Sequence, residues 1–316
     1  LFLALFSLVR HKSDAHRLGV ALVIGAVISA VVALALVPAD TVVTGVGPPR
    51  LRGLFGSPNN LAMILERILP IAVGFALIGL TKPRRLLGWL TVMLLVAVLV
   101  LTFSRGAWIG GLVGLTVALI PALRRTPRLL RTATPIIIAC LALAAIVTAG
   151  GDHLATFIRA SDAAAMARPL LWDSAWQMIR DHLLLGVGPD NFLYHYPDYI
   201  RPEAWAEPHI SHAHNIVLDT WLTLGAFGVF VLLILAASYV RTWKKAHRSA
   251  EADGQTIVYG LGGSMAAILI HGMVDGSIFL PELAATFWVV IALTIAIARP
   301  SGRVAQHECA AWQGRA

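Results

Sequence analysis

The stretch Ile210-Ser211-His212-Ala213-His214-Asn215 closes a long polar segment, and Ile216 opens an apolar run that reaches Val240. A bilayer's hydrocarbon core takes about 20 apolar residues to cross as a helix, so the run reads as a transmembrane span. Two histidines and an amide therefore stand where polar chain meets membrane. Histidine is the side chain whose ordinary pKa lies nearest neutrality, which suits it to take or give a proton. Interfacial packing, or a tight turn into a helix, is the other reading of the same residues.

Outward from this boundary the pattern repeats. The chain is 58% hydrophobic and 13% charged, whereas soluble domains are about 25% charged. Apolar runs of span length occupy Leu18–Val37, Pro58–Leu80, Leu86–Phe103, Ala107–Leu123 and Ala133–Ala149. After the polar stretch come Ile216–Val240, Thr256–Val274 and Leu283–Ala298, while Leu1 to Val9 reads as the tail of a further span. The expected fold is all-α, a polytopic transmembrane helix bundle of about eight complete spans and one partial span. Its expected parts are an N-terminal bundle over 1–149, a large helical loop over 150–215, C-terminal spans over 216–298 and a tail over 299–316. The chain opens on Leu1, inside an apolar run, and the expectation is that an N-terminal piece with at least one earlier span is missing. Two cysteines, Cys140 in an apolar run and Cys309 in the tail, imply no disulfide framework.

Basic residues orient the bundle. Arg10, Lys12, Arg17, Lys82, Arg84, Arg85, Arg124, Arg125, Arg128 and Arg131 fall in loops on one side, as do Arg241, Lys244, Lys245, Arg248, Arg299, Arg303 and Arg315. The positive-inside rule makes that side cytoplasmic and puts 150–215 in the periplasm or its equivalent. The net charge of +8 thus reports topology, not nucleic-acid binding. Eight arginines resist the bias: Arg50, Arg52, Arg67, Arg105, Arg159, Arg168, Arg180 and Arg201. A guanidinium is a planar fork of donors that stays charged, which suits phosphate and diphosphate.

Arg105 sits in a tight turn between two spans, Thr102-Phe103-Ser104-Arg105-Gly106-Ala107, as an anion ligand or as a snorkelling interfacial side chain. Arg168 precedes Pro169 and the amphipathic run Leu170–Ile179. It reads either as the N-terminal end of a helix, where an anion is favoured, or as a surface arginine. In Arg50-Leu51-Arg52-Gly53-Leu54-Phe55-Gly56-Ser57-Pro58-Asn59-Asn60, Ser57 reads as a helix N-cap before a first-turn proline. Asn59 and Asn60 suit sugar hydroxyls, or satisfy backbone at a turn. Glu66 and Arg67 fall about two turns into that helix, lining a polar cavity or, if the helix starts later, lying at the interface. His271 and Asp275 are four apart, so they share a helix face, as an oriented histidine beside the cavity or a polar pair at a helix end. His212, His214 and His271 offer three nitrogens, but no metal motif frames them, and no Walker loop or dinucleotide fingerprint is present. The expectation is no metal, no cofactor and no nucleic-acid partner.

His214-Asn215, nine residues, Gly225, two residues and Gly228 resemble the signature of the O-antigen ligase family, which also covers O-antigen polymerases and protein O-oligosaccharyltransferases. Arg52-Gly53-Leu54-Phe55-Gly56 with Pro58-Asn59-Asn60-Leu61-Ala62 resembles it too, as do Ser104-Arg105-Gly106-Ala107, Arg168 with Trp172 and Ala175, and Leu185-Gly186-Val187-Gly188-Pro189-Asp190-Asn191-Phe192. The resemblance runs from about Arg50 to Trp288. It implies a GT-C-like, metal-independent glycosyltransferase in the bacterial inner membrane, working at the periplasmic face. The implied donor is a glycan on undecaprenyl diphosphate. The implied acceptor is a sugar hydroxyl of lipid A-core for a ligase, or of another lipid-linked glycan for a polymerase. His214 corresponds to the catalytic histidine, with Arg105 and Arg168 on the diphosphate. Arg52, Asn60, Arg67, Asn215, His212 and His271 are the further substrate-binding candidates. A lipid-linked-solute transporter or flippase is the rival class, although no internal repeat supports it.

Overall fold

A computed structural model describes residues 2–9, 11–36, 42–43, 50–78, 81–125, 168–204, 209–276 and 280–299. Helix α1 (Phe2–Leu8) leads into α2 (Lys12–Ala35), and the ladder β1 (Val42–Val43) and β2 (Arg50–Leu51) precedes α3 (Pro58–Ile78). Helices α4 (Lys82–Leu101) and α5 (Arg105–Arg125) follow. Beyond them lie α6 (168–181), then α7 (Phe192–Tyr199), α8 (Ile216–Ser249), α9 (Ala252–Gly272) and α10 (Pro281–Ala298). Six of these, α2, α3, α4, α5, α8 and α10, are long and apolar enough to cross a membrane. The chain is a multi-pass, all-α membrane protein. The expected span Ala133–Ala149, the first part of the expected loop and nearly all of the expected tail lie outside the described residues.

Helix α3 is the centre of the bundle and is buried along most of its length. Its start follows the sequence reading. Pro58 occupies the first helical position, and the Ser57 hydroxyl accepts from the Asn60 N–H at 3.2 Å. Helix α9 lies against α3 and α5. Small residues permit that approach: a Cβ on Gly260 would sit 2.6 Å from the Pro70 carbonyl, and one on Gly114 would sit 2.7 Å from the Gly263 carbonyl. This explains why α9, expected as a span, is not among the six: its sequence is spent on glycines and small polar residues that face protein.

Glu66 and Arg67 sit inside this packing, both 0% exposed. Glu66 accepts from His271 Nδ1 at 2.8 Å, tying α3 to α9, and Arg67 Nη1 donates to the Leu283 carbonyl at 2.8 Å. The helix begins at Pro58, so both residues are within it, and their polar atoms are turned to neighbouring helices. Helix α8 runs past the expected end at Val240 to Ser249. Its basic last turns favour the negative end of the helix dipole and prolong the helix beyond its apolar part.

The bundle has two ends. At one, Lys12 Nζ donates to the Ser249 carbonyl and Arg299 Nη1 to the Val9 carbonyl. At the other, β2, the start of α3, the α4–α5 turn, the start of α8 and the segment after α9 converge. Helices α6 and α7 cover this second end through an apolar cluster that includes Leu171, Met178, Ile179, Phe192, Tyr196 and Leu222.

Candidate functional site

The segment before α8 is held on both sides of His214. Asn215 caps the helix, its side-chain oxygen accepting from the N–H groups of Val217 at 2.9 Å and Leu218 at 3.1 Å. Its amide also donates to the Met273 carbonyl at 3.0 Å. One turn on, the Asp219 carboxylate accepts from the N–H of Ala213 at 2.5 Å and of Asn215 at 3.2 Å. The Ala213 carbonyl in turn accepts from Trp172 Nε1 of α6 at 3.1 Å. With its neighbours fixed, His214 takes a left-handed backbone, φ 51. Non-glycine residues adopt that region sparingly, so it persists only where surroundings impose it.

Helix α8 itself is broken at Gly225, whose φ is 68 and ψ −165. The break exchanges backbone partners with the loop after α6. Ala226 N–H donates to the Leu183 carbonyl at 3.2 Å, and the Leu222 carbonyl accepts from Val187 N–H at 2.6 Å and Gly188 N–H at 3.2 Å. The Ala226 N–H and the Leu222 carbonyl thus find backbone partners across the seam. A Cβ on Gly225 would run into the Leu184 carbonyl, so glycine is required both for φ and for space.

The His214 ring meets Asp275. Nδ1–H donates to Asp275 Oδ1 at 2.7 Å, which leaves Nε2 with its lone pair. Asp275 also accepts from Asn59 Nδ2 at 2.9 Å and from Gly276 N–H at 2.8 Å, and it faces Arg168 Nη2 at 3.7 Å. Asn59 in turn accepts from Arg50 Nη2 at 2.6 Å, while Arg50 Nε donates to the Thr102 carbonyl at 2.8 Å. A continuous hydrogen-bonded chain thus joins Arg50, Asn59, Asp275 and His214. Burial pushes the Asp275 carboxyl up, but the bond and charge of His214, with His271 and Arg168, outweigh it and hold the pKa below the usual carboxylate range. Burial lowers the pKa of Arg50; Asp275 opposes this and the nearby Arg105 cation adds to it.

Two cavities meet at the Asn59–Asp275 contact. The smaller, about 110 Å³, is lined by Arg50, Arg105 and Arg168, with Ser104 and His271. The larger, about 550 Å³, is lined by His214, His212, Asn60, Ser57, Asp219 and Thr223 among others. Asn59 and Asp275 belong to both. His214 therefore opens to one compartment and the guanidinium groups to the other.

Of the residues singled out from sequence, His214, His212, Asn60, Arg105, Arg168 and His271 come together here. Asn215 supports from behind as the helix cap. Arg52 is half-buried beside β2 and lines neither cavity, and Arg67 is buried in the bundle. His271 and Asp275 both line the smaller cavity, but their side chains do not bond to each other. Helix α9 ends at Gly272, and the two side chains turn to Glu66 and His214 instead. The three-histidine grouping likewise gives way to His212, His214 and Asp275, whose ligand atoms lie within 4.8 Å of one another. The His214 and His212 rings are 4.1 Å apart. Burial, with His214 adding and Asp275 opposing, lowers the pKa of His212 to about 4.

Asp219 is the part that the sequence reading did not weigh, and its local signal is an acidic side chain in the first turn of a helix. Arg50, Asn59 and Asp275 enter that reading as an out-of-place arginine, a candidate for sugar hydroxyls and a partner of His271, and the structure joins them in one chain to His214.

No curated protein matches the chain. Residues 90–233 match the family model described as O-antigen ligase. That span contains Arg105, Arg168, His212, His214, Asp219 and the break at Gly225. The match supports assignment of the chain to the O-antigen ligase family, membrane glycosyltransferases of the ligase or polymerase type.

Proposed function

We propose that the protein transfers a glycan from undecaprenyl diphosphate to a sugar hydroxyl of lipid A-core at the periplasmic face of the inner membrane. The observation that carries this reading is the His214–Asp275 hydrogen bond at the wall between a guanidinium-lined cavity and a larger one that no lysine or arginine lines among the described residues. The acceptor oxygen attacks the anomeric carbon while His214 Nε2 takes its proton. The bond from that carbon to the phosphate oxygen breaks, and its electron pair leaves on the diphosphate. Arg50, Arg105 and Arg168 stabilise the charge growing there. Asp275 orients the imidazole and balances the imidazolium. Nucleophile and leaving group approach from opposite sides of one wall, so a single displacement inverts the anomeric configuration.

The periplasmic assignment rests on the basic loops. Lys12, Lys82, Arg248 and Arg299 fall at or beside helix ends away from the site. Reconstitution tests the whole. Donor and acceptor in liposomes should yield new glycosidic bonds with wild-type protein and none with His214→Ala. Movement of the lipid-linked glycan without bond formation would identify a carrier instead. In cells, deletion should leave unligated glycan chains. Single repeat units would identify a polymerase, with another lipid-linked glycan as acceptor.

A further inference from the structure

The two cavities differ in charge as well as in size. No lysine or arginine lines the larger one among the described residues, whereas three carboxylates do: Asp190, Asp219 and Asp275. Its other polar lining includes the neutral side chains of Ser57, Asn60, Ser211 and Thr223. Its volume of about 550 Å³ falls within the about 300–1,000 Å³ of small-molecule sites. Two of the carboxylates are committed, Asp219 to the backbone before α8 and Asp275 to His214. Asp190 is exposed, in a left-handed turn at φ 58. All three guanidinium groups of the site lie beyond the Asn59–Asp275 wall.

We propose that this cavity is the acceptor-sugar site and that it selects rings with no negative charge beside the attacking hydroxyl. The inference rests on the glycosyl-transfer reading and adds the substrate class to it. Amides and hydroxyls pair with sugar hydroxyls in either direction, as donors or acceptors. A phosphate or carboxylate on the same ring would face carboxylates and find no lysine or arginine among the described lining residues to match it, and like charges brought together at a recognition site are strongly disfavoured. The donor's diphosphate escapes this penalty because it occupies the other compartment. Asp190 and Thr223 are the residues that set the preference. Asp190 contributes charge, and Thr223, on α8, is a place where charge can be added facing the cavity.

The test uses the full-length protein in liposomes with an undecaprenyl-diphosphate-linked glycan as donor. Two acceptor glycolipids are compared, identical except for a phosphate on the carbon next to the accepted hydroxyl. Wild-type protein should show kcat/KM at least about tenfold higher for the unphosphorylated acceptor. Asp190→Asn should narrow the gap, since asparagine tolerates the left-handed turn. Thr223→Lys should narrow it further or reverse it, with the KM for donor unchanged in both variants. Equal use of the two acceptors in His214-dependent transfer overturns the inference and leaves the proposed function standing. Absence of His214-dependent transfer to either acceptor overturns the proposed function, and this inference with it.

Discussion

His214 and Asp275 are 61 positions apart in the chain and 2.7 Å apart in space, joined Nδ1 to Oδ1. That bond fixes one ring nitrogen as a donor and frees the other to act as a base. His214→Ala is expected to lower the transfer rate by about 10²–10⁴-fold, the usual contribution of a general base. Asp275→Asn, which disturbs tautomer and charge together, should cost up to about 10⁴-fold. Rates in proteoliposomes, at matched protein levels in the membrane, check both.

The arginine compartment gives a different signature. Arg50→Ala, Arg105→Ala and Arg168→Ala should each weaken donor use more than acceptor use. Loss of one charge-assisted hydrogen bond is worth about 1.5–3 kcal/mol. Arginine-to-lysine exchanges should restore little, because a point charge cannot reproduce the planar fork. Separate KM values for donor and acceptor make the comparison.

At Gly225, substitution by alanine meets both a left-handed φ and the Leu184 carbonyl. The conformational part alone costs about 1–3 kcal/mol, since φ 68 with ψ −165 is a region open essentially to glycine alone. The variant should melt at lower temperature in detergent, and the loop around Leu184 should be cut sooner by protease. An unchanged melting temperature would show that the break is not needed to seat α6.

Acid should loosen the site in a defined window. The unfolded chain protonates His212 near 6.5, whereas the folded protein does so only at about 4. Between those values the unfolded state holds the extra proton, so stability falls as pH falls from about 6.5 to about 4. Asp275, held below the usual carboxylate range, contributes in full above its ordinary pKa of 3.8 and loses that contribution at lower pH. Between pH 7 and pH 4 wild-type protein should lose more thermal stability than His212→Gln does, and the difference between the two melting curves reads the His212 contribution.

His212, His214 and Asp275 are close enough to attract a divalent ion, yet the proposed chemistry draws its positive charge from guanidinium groups. Activity should be retained in full after exhaustive chelation. A strict requirement for added metal would move the electrophilic role from the arginines to those three residues.

Much of this site was legible as charge out of place. His214, Arg105 and Arg168 stand where hydropathy and the positive-inside bias leave no reason for them, and all three reach the two cavities. Arg67 broke the same rule for another reason. Inside a membrane helix a cation can be satisfied by a neighbouring backbone carbonyl, and sequence cannot tell that from a binding role. The spacing of four places Asp275 beside His271, and both line the smaller cavity, but it carries no sign of the bond from Asp275 to His214. Asp219 shows in the sequence only as an acidic residue in the first turn of a helix, and its bonds to the N–H groups of Ala213 and Asn215 leave no further pattern. The fold was clearer than the site, because span length follows from bilayer thickness, whereas pairing across 61 positions follows from packing.

The seam at Gly225 separates orientation from length. In an unbroken helix each added residue turns everything above it by about 100°. Here the loop after α6 holds the helix on both sides of the break, through the Leu222 carbonyl above and the Ala226 N–H just below, so registration is set at the seam and not by the shaft beyond Ala226. Residues inserted into or deleted from the shaft change how far α8 reaches across a bilayer without rotating the imidazole, so membrane thickness and catalytic aim are free to vary independently.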